Sequence, residues 1–466
     1  MTELARADPV LVSDGQGLSD ASSRASLSVG RTLGFSLGMI GDRIFRDAPA
    51  LLLLIYMTNY LAIPPALAGV AIFIPKIVII FVDPMVGTLS DRLTTPWGRR
   101  RPLMFLGALL ASISLLMFFH VPRFAGPVLQ ATYMSGIVLL GFMGYSLYSV
   151  PYLTMASELA GDDDERRRIM SYRVVFMAIG LAVSAFAGGV VQMLGGGIGG
   201  YETMSYVYAG ICLVTMMTTV FATGRIAVSR GDAERLTIPA QVRMVAANRA
   251  YLSLTLVSFA QKTAEGVGYG SFAFFCIYVV HQPLAAIGLV VLASTAGQVL
   301  AQPFWLAASR RVSPQVLYAV GVAGWCLNLL LWLAMKDRSS LWLIPLGLQA
   351  GASAGGFLMV TLGMFSTAMA EEAARTGHNR EGVYSGFWLA IEKLGFAFGA
   401  LIVGVVLGLF GFVESAGGAG APQSPRAILG IALTYCGLNM AIYVASVLLV
   451  RLVPTAVTRP QGRGRD

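Results

Sequence analysis

Charge is what this chain has least of. Only 12% of its 466 residues are Asp, Glu, Lys or Arg, against about 25% in a water-soluble globular protein. Since 56% of the residues are hydrophobic and the mean hydropathy is +0.71, a soluble fold would lack the polar surface to cover itself. Histidine is nearly missing: His120, His281 and His378 stand far apart, at or near loops, which excludes a histidine-rich metal centre. Neither a His-Glu-x-x-His motif nor a glycine-rich Walker-type phosphate loop occurs, so the usual zinc-hydrolase and nucleotide sites are excluded. No enzyme activity and no resident cofactor are expected. Cys212, Cys276, Cys326 and Cys436 lie singly in apolar segments, without disulfide or metal-ligand spacing, and read as small buried residues. The net charge of +9 sits on arginines gathered in loops between apolar runs, a topology signal rather than a nucleic-acid footprint.

What is present is a series of apolar runs, arranged around the stretch from Asp83 to Pro102, DPMVGTLSDRLTTPWGRRRP. An apolar run precedes it from Leu67 to Val82 and another follows from Leu103 to Val121. Each is long enough to cross a bilayer, which takes about 20 residues. The basic turn between them is expected on the cytoplasmic face, where short loops are rich in Lys and Arg. Further spans are read at Arg31–Leu61, Val128–Leu159, Ile169–Leu194 and Met204–Thr223, then Tyr251–Val280, Leu284–Ala307, Gln315–Met335, Leu341–Ala370, Gly382–Phe412 and Ala427–Arg451. The expectation is an all-α membrane protein with twelve transmembrane helices in two six-helix bundles. Residues 1–27 read as a disordered cytoplasmic tail, 28–224 as the first bundle, 225–249 as a cytoplasmic linker, 250–452 as the second bundle and 453–466 as a second cytoplasmic tail. The turn ASRRVSP repeats, in the second half, the place of the basic turn in the first, as in carriers built from two six-span halves. Arg123, Lys336, Arg338 and Arg426 are the basic exceptions on the outer side.

The charges within spans are close to balanced: Arg43, Arg46, Lys76, Arg173, Lys262 and Lys393 against Asp42, Asp47, Asp83, Glu265 and Glu392. Such groups cost at least about 2.5 kcal/mol each, so they pair with one another or face a cavity. Spacing of four residues allows Asp42 to meet Arg46 and Arg43 to meet Asp47; Lys262 and Glu265 are three apart. Asp83 and Arg173 fall at similar depth and can pair across helices, and Arg173 and Lys393 are the expected basic neighbours of Asp83, while Lys76 lies seven residues before Asp83 on the same face. Structural ion pairs and a central solute site both fit this pattern. Among the aromatics, Tyr56, Tyr145, Tyr152, Trp388 and Phe398 stand out through their neighbours.

The segments FVDPMVG and SDRLTTPWGRRRP, then YSLYSVPYLTM, SYRVVF and ARTGHNREGVYSGFWLAIEKLG, resemble the glycoside/pentoside/hexuronide:cation symporters, the melibiose-permease group of the major facilitator superfamily. The likeness covers nearly all of residues 30–452. It implies a cation site at Asp83, with Ser146 as hydroxyl partner and Asp47 contributing. It implies a solute site at Asp47, Arg173 and Lys393, with Ser149 at a further solute-binding position; the intramembrane charges Lys76, Lys262 and Glu265 and the ring of Tyr152 are added to that site from their own placement. Two departures matter. Ile79 and Val82 replace a carboxylate and an amide of the sodium-using pattern, which favours a proton over sodium, since sodium needs several oxygen ligands. Ser149 replaces a carboxylate of sugar carriers, and with Lys76 added the cavity becomes more cationic.

The expected function is therefore cation-coupled symport of a glycoside, uronide or other small organic anion by alternating access. Alternatives are a lysolipid or amphiphile carrier or an exporter on the same fold, and, from another class, a non-transporting receptor or scaffold. Asp91, Arg99, Arg100 and Arg101 are expected to form a conformational latch that pairs with acidic helix ends such as Glu158 or with lipid head groups; topology marking alone is the alternative. Expected partners are a small solute, H+ or Na+ and membrane lipids, with no nucleic acid, in a monomer. The expected location is the bacterial inner membrane, with both termini cytoplasmic.

Overall fold

The computed structural model describes residues 28–93, 95–122, 124–159, 163–223, 238–336, 338–376, 381–416 and 421–453. The two expected tails (apart from Val453), most of the polar linker, the side chain of Glu158, and His378 and Arg380 lie outside the described residues. The helices in order are α1 (Val29–Asn59), α2 (Pro65–Arg92), α3 (Arg101–Met117), α4 (Pro127–Leu159), α5 (Asp163–Ala185), α6 (Ala187–Met193) and α7 (Gly197–Ala222). They continue with α8 (Ile238–Ala247), α9 (Arg249–Tyr278), α10 (Ala285–Ser309), α11 (Pro314–Leu333), α12 (Leu343–Thr376), α13 (Glu381–Leu409), α14 (Pro425–Ala432) and α15 (Asn439–Val450).

Local chemistry sets several of these limits. The Ser28 hydroxyl accepts from the Arg31 amide at the start of α1, Asn248 accepts from Tyr251 at the start of α9, and Ser424 accepts from Ala427 at the start of α14. Proline opens α2, α3, α11 and α14 within the first two positions, where its missing N–H costs nothing. Three readings shift. The expected fifth span is interrupted at Phe186, where ψ is 0° and α5 gives way to α6. The expected linker contains a helix, α8, which packs on α9. The last span holds a π-helical stretch at Leu433–Leu438, one wide turn inside an otherwise α-helical rod.

Nine helical stretches among the described residues are long and apolar enough to cross a membrane. α3 has 17 residues, a rise of about 25 Å. α1 and α9 are the longer helices outside that set, and both carry the charges described below.

The packing repeats. In the first half α1 contacts α5 and α7, α2 contacts α4, and α3 contacts α4 and α7. In the second half α9 contacts α13 and α15, α10 contacts α12, and α11 contacts α12 and α15. Each of these five pairings in one bundle has its counterpart in the other. The bundles meet through α2 on α13, α5 and α6 on α10, and α1 on α9.

They do not meet equally at both ends. One apolar core runs without interruption from the first bundle into the ends of α9 and α13, including Phe274, Phe275, Leu407 and Phe412. These residues lie at the end remote from the basic turn. A second core, with Tyr251, Leu254, Trp305, Tyr318, Met364 and Trp388 among its members, occupies the basic-turn end of the second bundle and contains no residue of the first. At the remote end the join is tight enough to need glycine: a Cβ on Gly404 of α13 would lie 2.3 Å from the Pro65 carbonyl oxygen of α2. A strap crosses there too. The Ala62 amide donates to Ser415 O at 3.2 Å, the Ser415 amide to Thr58 O at 3.0 Å, and the Asn59 side-chain amide to the Tyr278 hydroxyl at 2.8 Å.

Candidate functional site

Asp83 is placed near the middle of α2, just before Pro84, whose ring removes one helix hydrogen bond at this point. Its carboxylate accepts from the Ser146 hydroxyl of α4 at 2.5 Å and from the Lys393 ammonium of α13. This ion pair joins the two bundles. Ile79, one turn earlier, is buried and apolar, so α2 supplies no second carboxylate there. The expected pairing of Asp83 with Arg173 is not formed. Arg173 instead lies over the Tyr152 ring, 4.9 Å from its centroid, with the sulfurs of Met39 and Met170 beside its guanidinium. Tyr152 is fixed by donating to the Phe35 carbonyl at 3.1 Å.

A second group forms on α1. Asp47 is buried and accepts from Arg46 at 2.9 Å and Arg43 at 3.4 Å. The expected Asp42–Arg46 pair is thus replaced by Arg46 turning to its neighbour, while Arg43–Asp47 forms at the spacing of four. Across the bundle interface, Lys262 and Glu265 of α9 pair at 2.8 Å, within electrostatic range of Asp47. Glu392 of α13 lies close to the same lysine.

Lys76 lies two turns before Asp83 on α2 and makes a separate arrangement. Its ammonium sits between two rings, 5.4 Å from the centroid of Phe142 on α4 and 5.1 Å from that of Phe396 on α13. It has no carboxylate partner among the described residues. A desolvated cation gains up to about 2 kcal/mol from a ring face. Two rings therefore offset most of the ~2.5–3.5 kcal/mol that a lysine costs at mid-membrane. Lys76 and Arg46 line a cavity between the bundles, with Leu53, Phe118, Phe142, Tyr269, Phe396 and Ala400 in its wall. Its volume is ≈ 30 Å³, room for about two waters.

Ser149 is partly exposed on α4, one turn from Ser146. Among the remaining aromatics, Phe398 packs across the interface on Phe73, whereas Tyr56 donates to Phe119 O, Tyr145 stacks on Phe45 and Trp388 packs on Phe365 within single bundles. In the basic turn, Asp91 pairs with Arg100 at 3.4 Å, Arg100 also donates to the Thr154 hydroxyl, and Arg101 reaches Thr223 Oγ1 and Phe221 O. These contacts fasten α2, α3, α4 and α7 of one bundle. Arg99 lies in the same turn.

Charges from both bundles thus meet at mid-depth, and the bundles are sealed together at one end. A protein-family model described as MFS/sugar transport protein matches residues 34–456. The chain belongs to this family. Its members are transporters, and the chain is a multi-pass membrane protein rather than an enzyme. A putative glycoside/cation symporter of Escherichia coli is 22% identical, the match covering 93% of this chain and 94% of that one. A glucuronide carrier protein homolog, also from Escherichia coli, is 26% identical over 88% of this chain and 90% of its own. Among solved structures, a point mutant of the nucleoside transporter NupG superposes with a TM-score of 0.65 at 15% identity, covering 90% of this chain and 99% of that one, which shows the shared fold.

Against this MFS framework, sequence reasoning missed Phe142 and Phe396 as the residues that hold Lys76. A signal existed: Phe142 stands four residues before Ser146, and Phe396 three after Lys393, each one helical turn from a nominated residue. Thr154 and Thr223, which receive the turn arginines, had no comparable mark.

Proposed function

We propose that this chain is a secondary active symporter that couples a proton to the movement of a glycoside, uronide or other small organic anion. It would act by alternating access in a bacterial inner membrane, with the basic turn and both termini cytoplasmic. The sealed end then faces outward, and the divided core lies at the cytoplasmic side. The observation that carries the coupling is the position of Asp83, shared between Ser146 of its own bundle and Lys393 of the other. A sodium ion needs several oxygen ligands. Here the carboxylate has one hydroxyl beside it, a buried isoleucine one turn away and an ammonium paired with it. A proton needs only the carboxylate: neutral Asp83 no longer holds Lys393, and the bundles lose a cross-link at mid-depth. Deprotonation restores it.

The test is Asp83→Asn in proteoliposomes. The variant is expected to retain counterflow of solute and to lose accumulation driven by a proton gradient. A permanent structural bridge would instead lower folded yield and abolish both together. Accumulation by the parent protein that follows a sodium gradient and ignores a proton gradient would overturn proton coupling.

A further inference from the structure

The ion pairs account for most of the charged side chains in the middle of the bundles, but not for Lys76. It lies near the centre of α2, Phe142 near the centre of α4 and Phe396 near the centre of α13. Two of these elements belong to the first bundle and one to the second, so the ammonium is enclosed by rings from both sides of the interface. Among the described residues, the cavity wall holds Arg46 and Lys76 and no carboxylate. Arg46 does share Asp47, but Arg43 serves the same carboxylate, and the Arg46 side chain is 43% exposed. A guanidinium has five N–H donors, so some remain to serve a ligand. The rest of the wall is apolar, with the rings of Phe118, Phe142, Tyr269 and Phe396 set among aliphatic residues and glycines such as Leu53, Ile72, Gly266 and Ala400.

We propose that Lys76, assisted by Arg46, is the residue that selects a carboxylate-bearing solute, and that Phe396 holds the place at the ammonium which the solute's carboxylate takes. The proposal rests on the transport reading above. At ≈ 30 Å³ the cavity is too small for a monosaccharide, so the bundles part before a solute enters. When they part at the sealed end, Phe396 leaves with α13 while Phe142 stays with α4 beside Lys76. The ammonium then presents one bare side to the opening, and an anion with a flat body can take it while stacking on Phe142. A neutral sugar offers nothing to replace the lost ring contact. Discrimination between an acid and its neutral counterpart is thereby built into the closing contact.

The experiment uses the full-length protein in lipid nanodiscs and measures equilibrium binding of matched pairs: glucuronate and glucose, phenyl glucuronide and phenyl glucoside, benzoate and benzamide. At least one acid is expected to bind about tenfold or more tightly than its neutral twin, a difference of about 1.4 kcal/mol. In Lys76→Gln that preference is expected to vanish, and in Lys76→Arg to persist. Phe396→Leu, which removes the competing ring, is expected to tighten binding of the acid several-fold and leave the neutral twin unchanged. If no acid outbinds its twin, or the preference survives Lys76→Gln, the proposal is wrong. Should Lys76→Gln fail to fold, Lys76→Arg and Phe396→Leu decide by the same criteria: loss of preference in the first or weaker acid binding in the second overturns it. Binding needs no ion gradient. Acid preference with absent proton coupling would sink the coupling reading alone, and coupled uptake of a neutral sugar without acid preference would sink this one alone.

Discussion

Asp83 and Lys393 are half-shielded, with side-chain exposures of 17% and 39%, and this decides how much their pairing stabilises the protein. Breaking a fully buried pair costs about 3–5 kcal/mol, whereas exposed pairs contribute roughly 0–1 kcal/mol. A value between, about 1–2 kcal/mol, is expected for either Asp83→Asn or Lys393→Gln. Because both remove the same interaction, thermal melts of the double variant should show less destabilisation than the two single losses added; strict additivity would mean the pair is not formed in the membrane. The identities of these residues were readable in the sequence, and Lys393 and Arg173 both stood as basic neighbours of Asp83, but which of the two holds it was not. Residue count gives a depth along a helix, and Asp83, Arg173 and Lys393 all fall at similar depth. It does not give the direction each helix faces, and the two paired residues are 310 positions apart. Arg173 was nominated for the pair on depth alone, and its helix packs on α1, not on α2. Lys76 shares Asp83's face through its spacing of seven residues, which carries no information on the two rings that other helices bring to it.

At the level of elements, the spans were legible because crossing a bilayer is a one-dimensional requirement: about 20 apolar residues in a row, with basic loops between. The break at Phe186 and the π turn at Leu433–Leu438 were not, since both depend on what packs beside the helix. A Cβ on Gly188 would come 2.9 Å from that of Leu284, so α6 is pressed against the start of α10 at this break. The contact of α2 with α13 carries a prediction of its own. Gly404→Val puts a branched side chain where a single carbon already overlaps the Pro65 carbonyl at 2.3 Å, and overpacking of this kind costs about 1–3 kcal/mol. The bundles can avoid it by separating, without unfolding. Every 1.4 kcal/mol shifts such an equilibrium by about tenfold. A Leu53→Cys probe in the cavity wall should therefore react with a membrane-impermeant maleimide at least about fivefold faster when Gly404→Val is added. Unchanged labelling alongside a lowered melting temperature would show that the glycine serves folding and not the opening of this end.

For the molecule as a whole, the unequal join between the bundles is the feature with the widest reach. Their internal packing is repeated, each bundle carrying the same set of main helix contacts. The sealed end is held by apolar core, close backbone approach and the strap at Ala62 and Ser415. The other end has a core in the second bundle that stops at the interface. The strap is also a timepiece. In a helical protein whose backbone bonds are nearly all internal to one rod, the amides of Ala62 and Ser415 are tied to carbonyls of another segment, with Ser415 held by Thr58 of the opposite bundle. A peptide N–H exchanges its proton with water when its bond opens, so deuterium uptake at these two positions counts the occasions on which the molecule opens at this end. Uptake there should be slower than in the adjoining turns and should change in step with the turnover rate when solute and a proton gradient are supplied. Uptake that ignores turnover would mean the strap stays shut while the protein works.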